Sequence, residues 1–447
     1  MMTRTAQVPL VRSAGDELRT LLAPVTPELF VREYWGKKPL YVKGFAEKYH
    51  GFFDAQHFSQ ALAMPGPTPD FLRASFDKKT DAGTSAPATM PGALRSSAFR
   101  ANVEQAVPLF DAGATLCVSQ IETRVTSLAP FLAAIKYQLG YPGKVSFNAY
   151  LSPPGSGYNW HFDSRIASTL QIEGTKIWRF SNHPTIPWPR SNGSIRADGT
   201  PQYTDPGAVA AEWEHLTAFD ERDTTEVLLE PGDLLILPAG VWHEACGGTG
   251  GSLALNLSFT PVSYTALVRN LLDALLVADP DWRSPAPLLP GAAPGEVDPA
   301  GVAAISAQLA RAAAALASLS GDSAAMVRVW ESFVQNPNPG SPAPPSAAIA
   351  ATPVVPGQRL RVRADGQVYA MLADGGASLC LAMGTSRAVE LSGEAVRFVQ
   401  RMLVEREFLA GDCLGWNDGA APFVWSDVES MLTQLKREGL IEDAPTS

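Results

Sequence analysis

The chain has 447 residues, more than one ordinary hydrophobic core takes up, so two or three domains are expected. A formal charge of −10 excludes a molecule that grips nucleic acid over its whole surface, because phosphate binding needs clustered Lys and Arg; an acidic field suits encounter with a basic polypeptide instead. Four scattered cysteines (Cys117, Cys246, Cys380, Cys413) make no CxxC pair or disulfide framework, and apolar runs such as "DLLILPAGVW" are shorter than the roughly 20 residues of a membrane span.

Residues 1–13, "MMTRTAQVPLVRS", contain no signal-peptide apolar region, and with the cysteine pattern this predicts a cytoplasmic location. In "TPELFVREYWGKKPLYVKG", residues 26–44, Thr26 is the predicted N-cap, Pro27 fills the first helical position, and Phe30 and Tyr34 share a face. A short strand is predicted at 40–43.

From about residue 100 to 260 the pattern changes to short runs of period two or full apolar character between Pro/Gly turns, as in "KVSFNAYL", "STLQIEG", "KIWRFS", "TEVLLE", "DLLILP" and "SLALNLSFT". That predicts a strand-rich sandwich or barrel. Within it, residues 184–210 are polar, rich in Pro and Gly and without period, which reads as a long loop, either a lid or disordered.

After residue 260 the spacing is helical. "YTALVRNLLDALL" is followed by "AGVAAISAQLARAAAALASLS", with Val302, Ile305, Leu309, Leu316 and Leu319 along one stripe. Pro-rich breaks at 284–299 and 336–357 bracket these helices, and the second reads as a linker. Beyond it, "RLRVRADGQVYAML" alternates around Asp365 and Gly366 as a hairpin. A helix runs from Ser392 through Val396, Val399 and Leu403, and another is opened by a Ser426 to Glu429 capping box and stopped at Gly439. The predicted division is 1–265 for a strand-rich catalytic domain, 266–335 for a helical region, 336–357 for a linker and 358–447 for a small winged-helix-like domain.

A strand sets residues i and i+2 on one face, so "YNWHFD" presents His161 and Asp163 to one point. Two imidazoles and one carboxylate form a facial triad, which leaves three positions on one side of a ferrous ion for a bidentate co-substrate and dioxygen. His243, 80 positions after Asp163 in "GDLLILPAGVWH", is the candidate third ligand. An isolated HxD arises by chance, so the framing gives it weight. Gly155 stands six before His161, while Gly232, Pro238, Gly240 and His243 spell G-x5-P-x-G-x2-H. Both halves are similar to the two cupin motifs, in which glycines supply sharp turns between strands of a double-stranded β-helix.

Four stretches, "FVREYWGKKPLYVKG", "NAYLSPPGSGYNWHFD", "LQIEGTKIWRF" and "LLEPGDLLILPAGVWHEA", together resemble the JmjC-type Fe(II)/2-oxoglutarate oxygenases, specifically the ribosomal protein hydroxylases, or ribosomal oxygenases. The resemblance runs in order over most of the chain. It implies an α+β fold with a double-stranded β-helix (cupin/JmjC jelly-roll) core, a helical region of dimerisation type and a winged-helix-like C-terminal domain. It further implies Fe(II) on the catalytic residues His161, Asp163 and His243, with O2 as oxidant, and it puts Lys176 on the distal carboxylate of the co-substrate 2-oxoglutarate. A carboxylate deep in a barrel needs such a cation.

Asn148, Tyr150 and Asn256, on flanking strands, are implied to hydrogen-bond the co-substrate, though the Asn256 amide in "LALNLSF" could equally belong to a structural network. Trp178 and Phe180 read as barrel packing. The implied reaction hydroxylates an amino-acid side chain of a protein, a ribosomal protein first, with release of succinate and CO2. The alternatives are a hydroxylase of a small molecule or natural-product peptide and a non-enzymatic cupin binding or regulatory protein. A homodimer is expected, with no membrane contact and no direct nucleic-acid binding, since "SDVESMLTQLKREG" mixes charge signs. Two departures from the family bear on the substrate: "SRIAST", with Arg165, replaces the acidic or aromatic run after HxD, and the 80-position spacing is longer than in the relatives. The excess falls on the 184–210 segment, which reads as an altered lid.

Overall fold

The computed structural model describes residues 10, 16–64, 71–76, 99–101, 103–195, 199–203, 219–277, 279–285, 293, 295–335, 352–362, 368–373, 376–381, 388–392, 394–417, 422–437 and 439–444. Among these, twelve antiparallel strands share one folded sheet: β1 (Leu40–Val42), β2 (Leu72–Ser75), β3 (Phe99–Arg100), β4 (Thr115–Ser119), β5 (Lys144–Ser152), β6 (Gly157–Phe162), β7 (Ile166–Ser181), β8 (Gly193–Ile195), β9 (Pro201–Tyr203), β10 (Thr224–Leu229), β11 (Leu234–Leu237) and β12 (His243–Thr260).

The two long strands make the sheet fold on itself. The first part of β7 pairs with β11 and the last with β10. Likewise the start of β12 pairs with β6 and its end with β5, with register shifts on the β7 side around Gly247 to Ser252 and again at Leu253. A strand that changes partners across a bulge passes from one layer to the other. The result is the jelly-roll core expected from the motifs.

Alternation on β5 sorts the two faces. Val145, Phe147 and Ala149 are buried in the main core against the helix Ala129–Gln138, whereas Asn148, Tyr150 and Ser152 face the barrel interior. Phe147 joins an aromatic cluster with Phe52 and Phe131; burying a Phe side chain of this kind contributes about 1.5–3 kcal/mol. At the N-terminal side, Thr26 caps the helix Pro27–Glu33 by accepting the Leu29 N–H at 3.2 Å, as the sequence predicts. β1 then pairs with β11 and joins this segment to the barrel.

The segment 184–210 differs from expectation. Its described part supplies β8 and β9, and β8 extends the sheet beside the HxD strand, with Ser194 opposite His161 and Gly193 opposite Phe162. A Cβ on Gly193 would lie 2.2 Å from the Phe162 ring, so only glycine permits this approach. Phe162, Tyr203 and Trp242 form a satellite core there, joined by Trp160, Ile186, Ile195 and Phe219. Short-range polarity hid an element whose apolar residues are spaced for packing on another strand.

In the helical region, Pro299–Ser320 starts at an Asp298 cap. Among the described residues it is the one helix long and apolar enough to cross a membrane, by length and composition (mean hydropathy 1.5), which corrects the reading that no run reaches that length. The run is apolar largely through alanine. Its buried positions are Gly301 and Ala312, whereas Val302, Ile305 and Leu309 are exposed.

In the C-terminal part, strand Arg359–Val362 lies between Glu407–Leu409 and Ile441–Asp443. The helices Glu394–Glu405 and Trp425–Arg437 contribute Phe398, Met402 and Leu432 to a core with Leu360 and Trp416. The Ser426 capping box does not form, because the helix already begins at Trp425 and the Ser426 hydroxyl turns to Asp427. The hairpin expected around Asp365 and Gly366 does not form: Arg359–Val362 takes its partners from Glu407–Leu409 and Ile441–Asp443, while Val368–Ala373 pairs with Gly376–Leu381 in a separate sheet. Residues 336–351 of the linker lie outside the described residues.

Candidate metal centre and adjoining pocket

Antiparallel pairing of β12 with β6 sets His243 opposite His161, with ring centroids 4.2 Å apart. Asp163 follows β6 by one residue, and its carbonyl accepts the Gly240 N–H at 2.9 Å, which ties the turn before His243 to the HxD strand. Gly240 has φ +82°, and a Cβ there would lie 1.9 Å from the Ile186 carbonyl, so the glycine of this motif is required twice over. One ligand atom from each of His161, Asp163 and His243 falls within 4.8 Å of the others.

The donor set fits a divalent metal. Nδ1 of His161 lies 2.7 Å from the Asn159 carbonyl, and Nδ1 of His243 lies 2.8 Å from the Val241 carbonyl. A carbonyl only accepts, so each Nδ1 carries a proton and Nε2 is the nitrogen left to face a metal, the arrangement a metal-bound histidine needs. Burial, and then the neighbouring His161, pushes the His243 pKa down to about 3, so this ring is neutral at working pH. Burial alone would raise the Asp163 carboxyl, but His161, His243, Arg165 and Arg73 outweigh it and keep the group below the ordinary carboxylate range. Two imidazoles and an ionised carboxylate on one side of a site suit Fe(II) with three positions open.

Lys176 sits on β7, 3% exposed, with Nζ 3.5 Å from the Ser152 hydroxyl and 5.6 and 5.8 Å from the Tyr150 and Trp178 rings. No described carboxylate pairs with it. Burial lowers its pKa to about 8, against weaker raising effects of Cys117 and Cys246. Such a cation gains stability from an anion that enters the pocket. The Trp178 indole is 5.7 Å from the His243 ring as well, and so spans the gap between the lysine and the histidines. Trp178 and Phe180 both pack in a barrel core cluster, as expected, and Trp178 borders the site as well.

Of the flanking residues, Asn148 is buried, pairs in register with Asn256, and accepts the Gln120 N–H at 3.2 Å. The Asn256 side chain makes no hydrogen bond to a described residue. Burial, and then the neighbouring Cys117, raises the Tyr150 phenol well above its usual range. All three line the pocket face.

Two residues absent from the sequence reading also belong here. Arg73 on β2 reaches the Cys117 thiol at 3.2 Å, while its Nε is buried with no hydrogen-bond partner among the described residues. Asn192, from the segment read as a lid, donates to Asp163 Oδ1 at 2.9 Å. Neither lies in a motif, and β2 is a four-residue strand, too short to show a period.

Comparison with known proteins agrees with this geometry. The JmjC domain family matches residues 132–267. The uncharacterized protein YxbC of Bacillus subtilis is 24% identical over 272 residues, 60% of this chain and 77% of that one. Ribosomal oxygenase 1 of Gallus gallus is 28% identical over 269 residues, 59% of this chain but 40% of its own length, so the chain spans less than half of that relative. The structure of YcfD, a ribosomal oxygenase from Escherichia coli in complex with cobalt and 2-oxoglutarate, superimposes with a TM-score of 0.53 over 94% of this chain and 99% of that one, at 14% identity. The chain thus contains a JmjC domain, is homologous to the ribosomal oxygenases and shares the fold of YcfD.

Proposed function

We propose that the chain is an Fe(II)- and 2-oxoglutarate-dependent oxygenase that hydroxylates an amino-acid side chain of a protein. The observation that carries this reading is a barrel interior that brings two imidazoles and a carboxylate within 4.8 Å of one another, with Trp178 between them and the buried Lys176, which pairs with no described carboxylate. His161, Asp163 and His243 would hold the metal, and Lys176 the far carboxylate of 2-oxoglutarate, with Asn148, Tyr150 and Asn256 as hydrogen-bonding neighbours. When bound, Fe(II) with 2-oxoglutarate and O2 supplies the oxidant that installs a hydroxyl on an unactivated C–H bond, releasing succinate and CO2. The protein's share is orientation: carbonyls fix both imidazoles, and the Trp178 and Tyr150 rings flank the Lys176 ammonium.

The relatives' names, ribosomal oxygenase 1 and YcfD, a ribosomal oxygenase, make a ribosomal protein the first candidate substrate. The acidic net charge suits a basic partner. The same reading takes the molecule as cytoplasmic and homodimeric, and residues 358–447 as a winged-helix-like unit with a structural or substrate-clamping role. A second reading, a small-molecule or peptide substrate bearing an acidic group, is favoured by Arg73, a largely buried guanidinium whose described partner is a thiol. The test incubates the protein with Fe(II), 2-oxoglutarate and ribosomes from a strain lacking its gene, then weighs each ribosomal protein. A one-oxygen gain that requires 2-oxoglutarate supports the ribosomal reading. Turnover of 2-oxoglutarate without any gain shifts the substrate to the second class.

A further inference from the structure

The length between Asp163 and His243 that departs from the family does more than cover the barrel. Asn192 precedes β8 by one residue, and its place is set by the pairing of β8 with the HxD strand. The Asn192 Oδ1 accepts the Ser164 N–H at 2.8 Å and the Ser164 hydroxyl at 3.0 Å. Those two bonds fix the amide orientation, because the opposite flip would point NH2 at a backbone N–H. The donor end therefore faces Asp163 Oδ1, at 2.9 Å. Asp163 Oδ2 receives no hydrogen bond from a described residue.

The other end of the same segment holds the His243 side. The Thr185 N–H donates to the Gly240 carbonyl at 3.0 Å, the Ile186 carbonyl abuts Gly240, and Gly240 N–H in turn binds the Asp163 carbonyl. One inserted element thus contacts both halves of the candidate centre.

We propose that Asn192 is a positioning residue of the metal centre: it occupies Oδ1 of Asp163, so that the ion draws on Oδ2, and it makes the insertion a structural part of that centre. This rests on the reading of His161, Asp163 and His243 as metal ligands. A carboxylate held on one oxygen binds as a single donor, while a loose one can rotate or chelate through both and take up a position meant for co-substrate.

The test uses the full chain, with Mn(II) affinity from electron paramagnetic resonance and the visible spectrum of the Co(II) form. Asn192→Ala should weaken Mn(II) binding about 10- to 100-fold and alter the Co(II) bands, the range typical for loss of a group that orients a metal ligand. Asn192→Asp keeps both acceptor contacts to Ser164 and so preserves the turn, but an ionised carboxylate cannot donate; it should show the same altered Co(II) bands. Ser164→Ala, which loses one contact to the amide and none to Asp163, should stay within about threefold of wild type. Wild-type affinity and Co(II) spectrum in both Asn192 variants would overturn the proposal. If His161→Ala binds Mn(II) as tightly as wild type, the metal-site reading itself fails and takes this proposal with it.

Discussion

His161 and His243 face each other across one strand register, yet their surroundings differ. His243 is 3% exposed and held neutral by burial, while His161 is half-buried. Either ring is fixed by a carbonyl two residues back, so replacement by Ala removes a metal donor without breaking a long-range hydrogen bond. His161→Ala should therefore lower 2-oxoglutarate turnover, followed as succinate, by more than about 100-fold, with little change in thermal unfolding. Wild-type-like turnover in that variant refutes the iron assignment.

Lys176 gives a pH prediction. Burial lowers its pKa to about 8, below the ordinary lysine value, so the ammonium is present below pH 8 and is lost above it. Binding of a dicarboxylate raises that pKa by stabilising the charged form. Affinity for 2-oxoglutarate should thus be flat below pH 8 and fall about tenfold per unit above it, until the pKa of the complex is reached. Lys176→Met should bind weakly at every pH, and calorimetric titration between pH 6.5 and 9.5 distinguishes the two profiles. The candidate ligands were legible because both cupin motifs are local. Arg73 and Asn192 were not, because each acts across strands that are distant in sequence.

At the scale of elements, the turn before His243 and the inserted β8 depend on two glycines with different demands. Gly240 needs positive φ and close approach to Ile186, and the G-x5-P-x-G-x2-H pattern made its turn readable. Gly193 needs only closeness to the Phe162 ring, and no pattern announces that. Gly240→Ala combines both penalties and should cost about 1–3 kcal/mol, read as a fall in thermal midpoint. Because Gly240 N–H holds the Asp163 carbonyl, the same variant should also bind Mn(II) more weakly. The segment around β8 reads as loop because its Pro and Gly residues dominate a short window, whereas its strand character comes from pairing with β6 and from Tyr203 and Ile195 packing beside Trp242.

For the whole molecule, the helix Pro299–Ser320 presents Val302, Ile305 and Leu309 to solvent in a single chain, the last 65% exposed. A monomer leaves such a stripe in water at a cost of about 25 cal/mol per Å² of apolar surface. With the proposed homodimer formed through this face, Leu309→Asp should give a monomer in sedimentation velocity while leaving 2-oxoglutarate binding intact. An unchanged sedimentation coefficient would place any dimer contact elsewhere.

The sequence by itself determined the jelly-roll class, the three candidate ligands, the candidate cation at Lys176 and the succession of strands, helices and a C-terminal mixed unit. These follow from local rules, namely side-chain period, turn chemistry and two short motifs. The tertiary structure decided which strands change partners, where the extra length before His243 packs, and which side chains orient Asp163. Those outcomes depend on cross-strand register and on contacts between residues far apart in the chain, such as Asn192 with Asp163 or Arg73 with Cys117, for which a single sequence carries no periodic signal.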